Sequence, residues 1–571
     1  MLTKIRIENF KGIKSCEVSN LGRVNVFVGR NNSGKSSILD ALCLIRSAFN
    51  PVLFDEPVPQ LLLKRKAVER NIYVSRNFWH NYDTKQRIKF NLEFKSGEKL
   101  NIEVLWTNDS QFQMLFEDLS GVSGKYIEGK YSAARGIYLG QSYFFDDRGF
   151  NEFASKFPQI NHFLSEIVLI DDYLARKLQR LETNIFSRIL EPRIDKKIVK
   201  ELNEIYNFET EGLTYIPISP TAREFRLAVS TPNLSLHIDE MGDGAKYATV
   251  ILSISLLLEN TAFLIEEIES HQHSGAIRKL IPRLVEIANQ RNVQLFLTTH
   301  SIEVMEALSQ LPPEYDIHFF HIENKRGDID VRHLGGNIDV KLLLNLGVDP
   351  RFLEAYKKFI VVEGKNDVQF FKSLLQRYGK NVEELGYLVK AGDKNSLKNH
   401  VLPALLSTKK EIVAAMDYDK QDKEALIQDL VNVLKNKNYK IQNRKDNTLE
   451  IEGNLKVTLL PMGLYNDERL KQIGIEQFEM EDYCLKLMEE DENLKEWAGE
   501  TLENLVKEAE QAKIEKMDLH KSSTLLRLLA LKKGKVYEDL IDYLVKNASD
   551  QALERVITGE LREFLSKYIE R

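Results

Sequence analysis

The chain has 571 residues, a formal net charge of -6 and three cysteines, a length that predicts two or three domains, each able to bury its own core. Cys16, Cys43 and Cys484 supply neither a disulfide framework nor a C-x-x-C zinc pair, which points to a reducing cytoplasm. The acidic balance argues against a general DNA-coating protein, and the lack of a long apolar run, at the start (Met1 to Phe10) or elsewhere, argues against secretion and membrane spanning.

In chain order, Leu2 to Phe10 and Val18 to Phe27 read as strands, Val24 to Val28 as a buried one, and Ser36 to Ile45 as an amphipathic helix. Between them Gly29-Arg30-Asn31-Asn32-Ser33-Gly34-Lys35-Ser36 fits G-x-x-x-x-G-K-[ST]. Such a loop aims backbone N–H groups and a helix N-terminus at phosphate oxygens. Lys35 would reach the β and γ phosphates of ATP, and the Ser36 hydroxyl would ligate Mg²⁺. Gln141 lies where a Mg²⁺-contacting glutamine would sit in an ABC-type domain, against the plainer reading of a surface side chain. Asn151 to Phe208, rich in Leu, Ile, Lys and Glu at helical spacing, predicts a helical insertion at about 151–209.

Downstream, Gly242-Asp243-Gly244 forms a turn before an apolar helix from Tyr247 to Glu259, where small residues could meet a γ phosphate presented by a second protomer. Ala262 to Ile265 reads as a buried strand ending in Glu266-Glu267. The strand end would place Glu266 on the Mg²⁺ side and Glu267 beside the attacking water. Glu266 stands where Asp is usual. A further strand, Val293 to Leu297, delivers His300, placed to contact the γ phosphate and sense its loss. Glu269, His271 and His273 invite a zinc reading, but inter-protomer contact is the preferred one.

From Met1 to about Leu346 these motifs resemble the SMC and ABC-like ATPases of the OLD (overcoming lysogenization defect) family, with Gly29 to Ser36 as phosphate loop, Met241 to Gly244 as signature, Leu264 to Glu267 as Walker B and Thr299 to Ser301 as switch. The resemblance implies two facing ATPase heads, hence a homo-oligomer.

Pro312-Pro313, Asn324 to Asp328 and Gly335 to Asn337 punctuate the chain before a linker at 347–358. Strands at Phe359 to Val362, Gly386 to Lys390 and Glu411 to Met416, with helices at Lys365 to Leu375 and Ser396 to Leu406 between them, predict a parallel sheet whose sites lie at the carboxyl ends of its strands. Glu363 and Asp417 fall at such ends, suited to gather Mg²⁺ or Mn²⁺. Glu363-Gly364, Asp367 and Asp417-x-Asp419 resemble a Toprim domain at the head of a 359–571 unit whose last part is helical. The likeness implies Asp417 and Asp419 as metal ligands, Glu363 as ligand or acid/base, and Asp367 at a second metal. Glu481 is the choice for an added ligand within Glu479 to Tyr483, against a solvated acidic face, and Lys521 for stabilising phosphorane charge. The fold class expected is therefore α/β, an ABC/SMC-like P-loop head followed by a Toprim parallel sheet. Together the two halves are identified with an ATP-controlled, metal-dependent DNA endonuclease of the OLD type. Its domain order is that of Gabija-type or PARIS-type phage defence proteins, with a helicase-like or effector partner implied. The alternative is a nucleotide-switched scaffold or sensor whose Toprim half binds a partner without cutting.

Overall fold

The structure, a computed structural model, describes residues 1–65, 75–108, 111–118, 132–138, 154–176, 187–190, 193–217, 225–380, 386–511 and 520–569. They divide into two compact units, Met1–Lys341 and Leu342–Arg571.

The first unit is organised by a 12-stranded sheet in the order Val168–Ile170, Ala262–Ile265, Gln294–Thr298, Val24–Val28, Ile317–Lys325, Asp328–Gly336, Ile13–Ser19, Leu2–Phe10, Ile88–Phe94, Lys99–Asn108, Gln111–Asp118 and Ser132–Tyr138. The first five run parallel. Every residue of Val24–Val28 is buried, as expected of a parallel strand covered on both faces. Even its one polar member is satisfied there: Asn25 accepts the Gly22 N–H and donates to the carbonyls of Gly22 and Leu295. The helix Lys35–Arg46 follows at once and turns Ile38, Leu39, Leu42 and Ile45 into the core.

Three expectations are corrected. The strand expected over Val18 to Phe27 is two, Ile13–Ser19 and Val24–Val28, because Asn20 takes a φ of 61° and turns the chain between them. The stretch read as a helical insertion does hold helices at Pro158–Ser165 and Ile194–Tyr206, but Val168–Ile170 between them is the edge strand beside Ala262–Ile265. It therefore belongs to the core sheet rather than to an arm. The helix expected from Tyr247 begins earlier, at Asp243, inside the glycine turn. Gln141 lies outside the described residues.

The second unit carries a six-stranded sheet in the order Tyr387–Lys390, Lys358–Val362, Glu411–Asp417, Leu455–Met462, Thr448–Ile451 and Ile441–Lys445. Its first four strands are parallel, so the turns after Val362, Lys390, Asp417 and Met462 share one edge. Helices from Glu481–Glu490 to Gly559–Ile569 complete the unit. No described helix of the chain is long and apolar enough to cross a membrane.

Candidate functional site

In the first unit the loop after Val24–Val28 closes around its own lysine. Lys35 is buried, and its Nζ donates to the carbonyls of Gly29 at 2.9 Å and Arg30 at 2.8 Å. Gly29 has a φ of 140°, and a Cβ there would stand 2.3 Å from the Ile322 carbonyl oxygen, so only glycine fits. The N-terminus of helix Lys35–Arg46 opens into a cavity of about 650 Å³. Asn31, Asn32, Ser33, Gly34, Lys35 and Ser36 line it from the loop, and Glu266, Glu267 and His300 from the ends of the two neighbouring strands. The structure thus brings together residues that lie more than 200 positions apart.

Within this cavity Ser36 Oγ donates to Glu266 Oε1 at 2.5 Å, which puts the expected metal-side hydroxyl and carboxylate side by side. Glu267 is exposed, has a φ of 51°, and is anchored by its own N–H to Thr298 Oγ1 at 2.9 Å. The His300 N–H donates to Glu269 Oε1 at 2.6 Å. Residues not singled out in the sequence also join: Arg65 pairs with Glu266, with Asp40 at 2.7 Å and with Asp171 at 2.7 Å. Burial pulls the Arg65 guanidinium down, but the carboxylates around it outweigh that and hold it more firmly charged than usual. Burial pushes the Asp171 carboxyl up, and Arg65 opposes it.

Gly242 and Gly244 do not line this cavity. Gly244 packs against the backbone of His271, and its carbonyl accepts from Tyr206 and Gln272. His271 is within 2.6 Å of Asp172, and His273 accepts the Gly275 N–H to cap the next helix. Both histidines therefore have partners within the chain.

In the second unit Glu363 follows Lys358–Val362 and Asp417 ends Glu411–Asp417, and the Asp417 N–H donates to Glu363 Oε1 at 2.9 Å. Asp419 and Phe478 exchange backbone hydrogen bonds of 2.7 and 2.8 Å, which draws Glu479 to Glu481 onto the same edge. Asp417 Oδ1 accepts the Met480 N–H there. Glu481 Oε1 accepts from Asn366 and from the Tyr537 hydroxyl. Asp367 accepts the Gly364 N–H at the start of Lys365–Arg377. Lys521 stands 3.8 Å from both Asp419 and Glu479.

The acids crowd one another. Burial, then carboxylate neighbours, push Glu363 up to about 7 and Glu481 to about 8; burial lifts Asp367 to about 6, and Asp417 is pushed well above its ordinary range. Lys394, absent from the sequence reading, offsets part of this charge by donating to Asp419 Oδ2 at 2.9 Å and to the Asp417 carbonyl at 2.7 Å. Its signal was its place just after strand Tyr387–Lys390, on the functional edge of a parallel sheet. Among the described residues no three His, Cys, Asp or Glu side chains stand in ready metal-ligand geometry.

Residues 1–131 match a family described as AAA ATPase domain, and residues 132–306 one described as AAA domain, putative AbiEii toxin, Type IV TA system. Residues 357–558 match one described as protein of unknown function (DUF3226). A Helicobacter pylori protein named ATP/GTP phosphatase is 21% identical over 341 residues, 55% of this chain and 90% of that protein. The Methanocaldococcus jannaschii uncharacterized protein MJECL10 is 32% identical over 109 residues, 19% of this chain and 42% of that one. Among solved structures, the SMC head domain from Thermotoga maritima is similar at TM-score 0.30 and 14% identity, covering 58% of this chain and 97% of that chain. The ScpA-bound Smc head domain from Pyrococcus furiosus is similar at TM-score 0.34 and 14% identity, with 61% and 99% covered. The phosphate loop, its cavity and the two AAA matches define the first unit as a P-loop ATPase with a mixed α/β fold. The chain is accordingly an ATPase joined to a second α/β unit that carries an acidic edge.

Proposed function

We propose that the second unit is a Toprim-type nuclease and that the chain is an OLD-type DNA endonuclease governed by the nucleotide state of its ATPase heads, serving in defence against phage. The observation that carries this reading is the gathering of Glu363, Asp367, Asp417 and Glu481 at the carboxyl edge of one parallel sheet, close enough for burial and mutual repulsion to hold their carboxyl groups above the ordinary range. Hard oxygen donors crowded in this way fit Mg²⁺ or Mn²⁺, which relieves their repulsion. Glu363, Asp417 and Asp419 would hold one ion, and Asp367 with Glu481 would support a second. Bound there, such ions supply an activated water and stabilise the leaving oxygen.

The chain's own side chains divide the remaining work. Glu363, which accepts the Asp417 N–H at the strand end, would take a proton in place of its role as a ligand. Lys521 and Lys394 put positive charge next to Asp419, where a phosphodiester approaching the acids would otherwise be repelled. In the first unit Lys35 and the loop N–H groups would hold the ATP phosphates, Ser36 and Glu266 would flank the metal side, and Glu267 would orient water. Gly242 to Gly244, standing away from this cavity, would complete the site of a second copy of the chain.

The test is nicking of supercoiled plasmid with Mg²⁺ or Mn²⁺ by the purified chain. The expected result is metal-dependent nicking that is lost in Asp417→Ala. Absence of nicking under every metal and nucleotide condition would favour a nucleotide-switched scaffold.

A further inference from the structure

Arg65 closes the short helix Val58–Lys64 and is fully buried. Its guanidinium meets a different carboxylate through each nitrogen: Nη1 with Asp40 at 2.7 Å, Nε with Asp171 at 2.7 Å, and Nη2 with Glu266 Oε2. These acids come from the phosphate-loop helix, the residue after the edge strand Val168–Ile170, and the end of strand Ala262–Ile265. The outer oxygens are occupied as well. Asp40 Oδ2 accepts from Lys11 at 2.6 Å, Asp171 Oδ1 accepts the Leu174 N–H at 2.8 Å, and Glu266 Oε1 accepts from Ser36 at 2.5 Å.

We propose that Arg65 is a positioning residue of the ATPase: it fixes the Glu266 carboxylate so that one oxygen faces Ser36 and the metal side of the phosphate loop. The longer Glu side chain explains the need. It has one more rotatable bond than the Asp usual at this place, and burial removes the water that would otherwise steady its charge. Arg65, which is not among the residues lining the cavity, supplies a fixed counter-charge to Glu266 Oε2. The planar fork reaches three acids from three separate nitrogens in a fixed plane, whereas a lysine would offer all its donors from one. Removing it would leave Asp40, Asp171 and Glu266 buried together without their shared counter-charge, and Glu266 would turn away from Ser36.

The inference rests on Ser36 and Glu266 being the metal-side pair, and the experiment separates the two ideas. ATP hydrolysis and ATP binding are measured over a Mg²⁺ titration for the full chain, Arg65→Lys and Asp171→Asn, with ATP binding repeated in EDTA and thermal unfolding recorded for each. A supporting residue behind a metal ligand changes metal affinity by roughly 10 to 100-fold. Arg65→Lys is therefore expected to raise the Mg²⁺ concentration for half-maximal hydrolysis by about tenfold or more, while ATP binding in EDTA stays within about threefold of the parent. Asp171→Asn keeps the cap on Leu174 but weakens the anchor of Arg65, so it should shift the Mg²⁺ requirement in the same direction by a few fold, and it stands in should Arg65→Lys fail to fold. An unchanged Mg²⁺ requirement in the folded variants, with only a lower unfolding temperature, would overturn the proposal. Parent hydrolysis indifferent to Mg²⁺ would instead remove the metal-side reading of Ser36 and Glu266.

Discussion

Lys35→Ala should abolish useful ATP binding without unfolding the chain, and the structure sets the size of the effect. Lys35 is 5% exposed, and its ammonium is held by the Gly29 carbonyl at 2.9 Å and the Arg30 carbonyl at 2.8 Å, inside the ring that a polyphosphate would enter. On binding, these neutral acceptors give way to anionic phosphate oxygens. A hydrogen bond to a charged group contributes about 1.5 to 3 kcal/mol, so two of them are worth about 3 to 6 kcal/mol. That corresponds to a loss of roughly 10² to 10⁴-fold in affinity. Only two hydrogen bonds within the folded chain are lost, so the unfolding temperature should fall by only a few degrees. Calorimetric titration with ATP, paired with thermal melts, measures both quantities. Binding within about threefold of the parent by a folded Lys35→Ala would refute the assignment of the phosphate loop.

Glu267→Gln should keep ATP affinity but slow hydrolysis by roughly 10² to 10⁴-fold, since it removes only the group beside the attacking water; turnover at the parent rate would remove that role. Asp417→Ala, Asp419→Ala and Glu363→Ala should each eliminate metal-dependent nicking with ATP binding intact, and parent-like cutting by Asp417→Ala would place the activity elsewhere. Burial, and then His318 beside it, lowers His333 to about 4, so the folded chain keeps this imidazole neutral where the unfolded chain, with a value near 6.5, takes up a proton. Stability from this site is therefore complete above about pH 6.5 and lost as pH falls toward 4, by about 2 kcal/mol after allowance for partial exposure. Urea melts at pH 7 and pH 5 should show about 1 kcal/mol of that difference in the parent, since pH 5 still lies above the folded value, and a smaller one in His333→Gln; equal differences would contradict it.

The residues that carry a fixed local geometry were the readable ones. The Gly29 to Ser36 loop, the Glu266-Glu267 strand end and His300 each follow a short apolar strand, and the structure gathers them around one cavity. Glu363 and Asp417 were legible for the same reason, as acids after short apolar runs. What escaped notice was either brief or inverted. Val168–Ile170 is three residues long and flanked by helices, too short for a strand period to stand out from the helical pattern. Arg65 lies in the run Leu63-Lys64-Arg65-Lys66, which reads as a solvated basic turn; its burial depends on Asp40, Asp171 and Glu266, distant in sequence. Tyr537 reaches Glu481 from a helix that carries no motif of its own.

The central claim, that the ATPase governs a nuclease in the same chain, is tested most directly by the plasmid-nicking rate over an ATP titration in the parent and in Lys35→Ala. A ligand shifts a conformational equilibrium only by its differential affinity for the two states, so the response must disappear when ATP can no longer bind. The account predicts that parent nicking falls as ATP rises, with facing heads restraining the DNA groove, and that Lys35→Ala nicks at a rate independent of ATP. An identical, flat response in both proteins would contradict it.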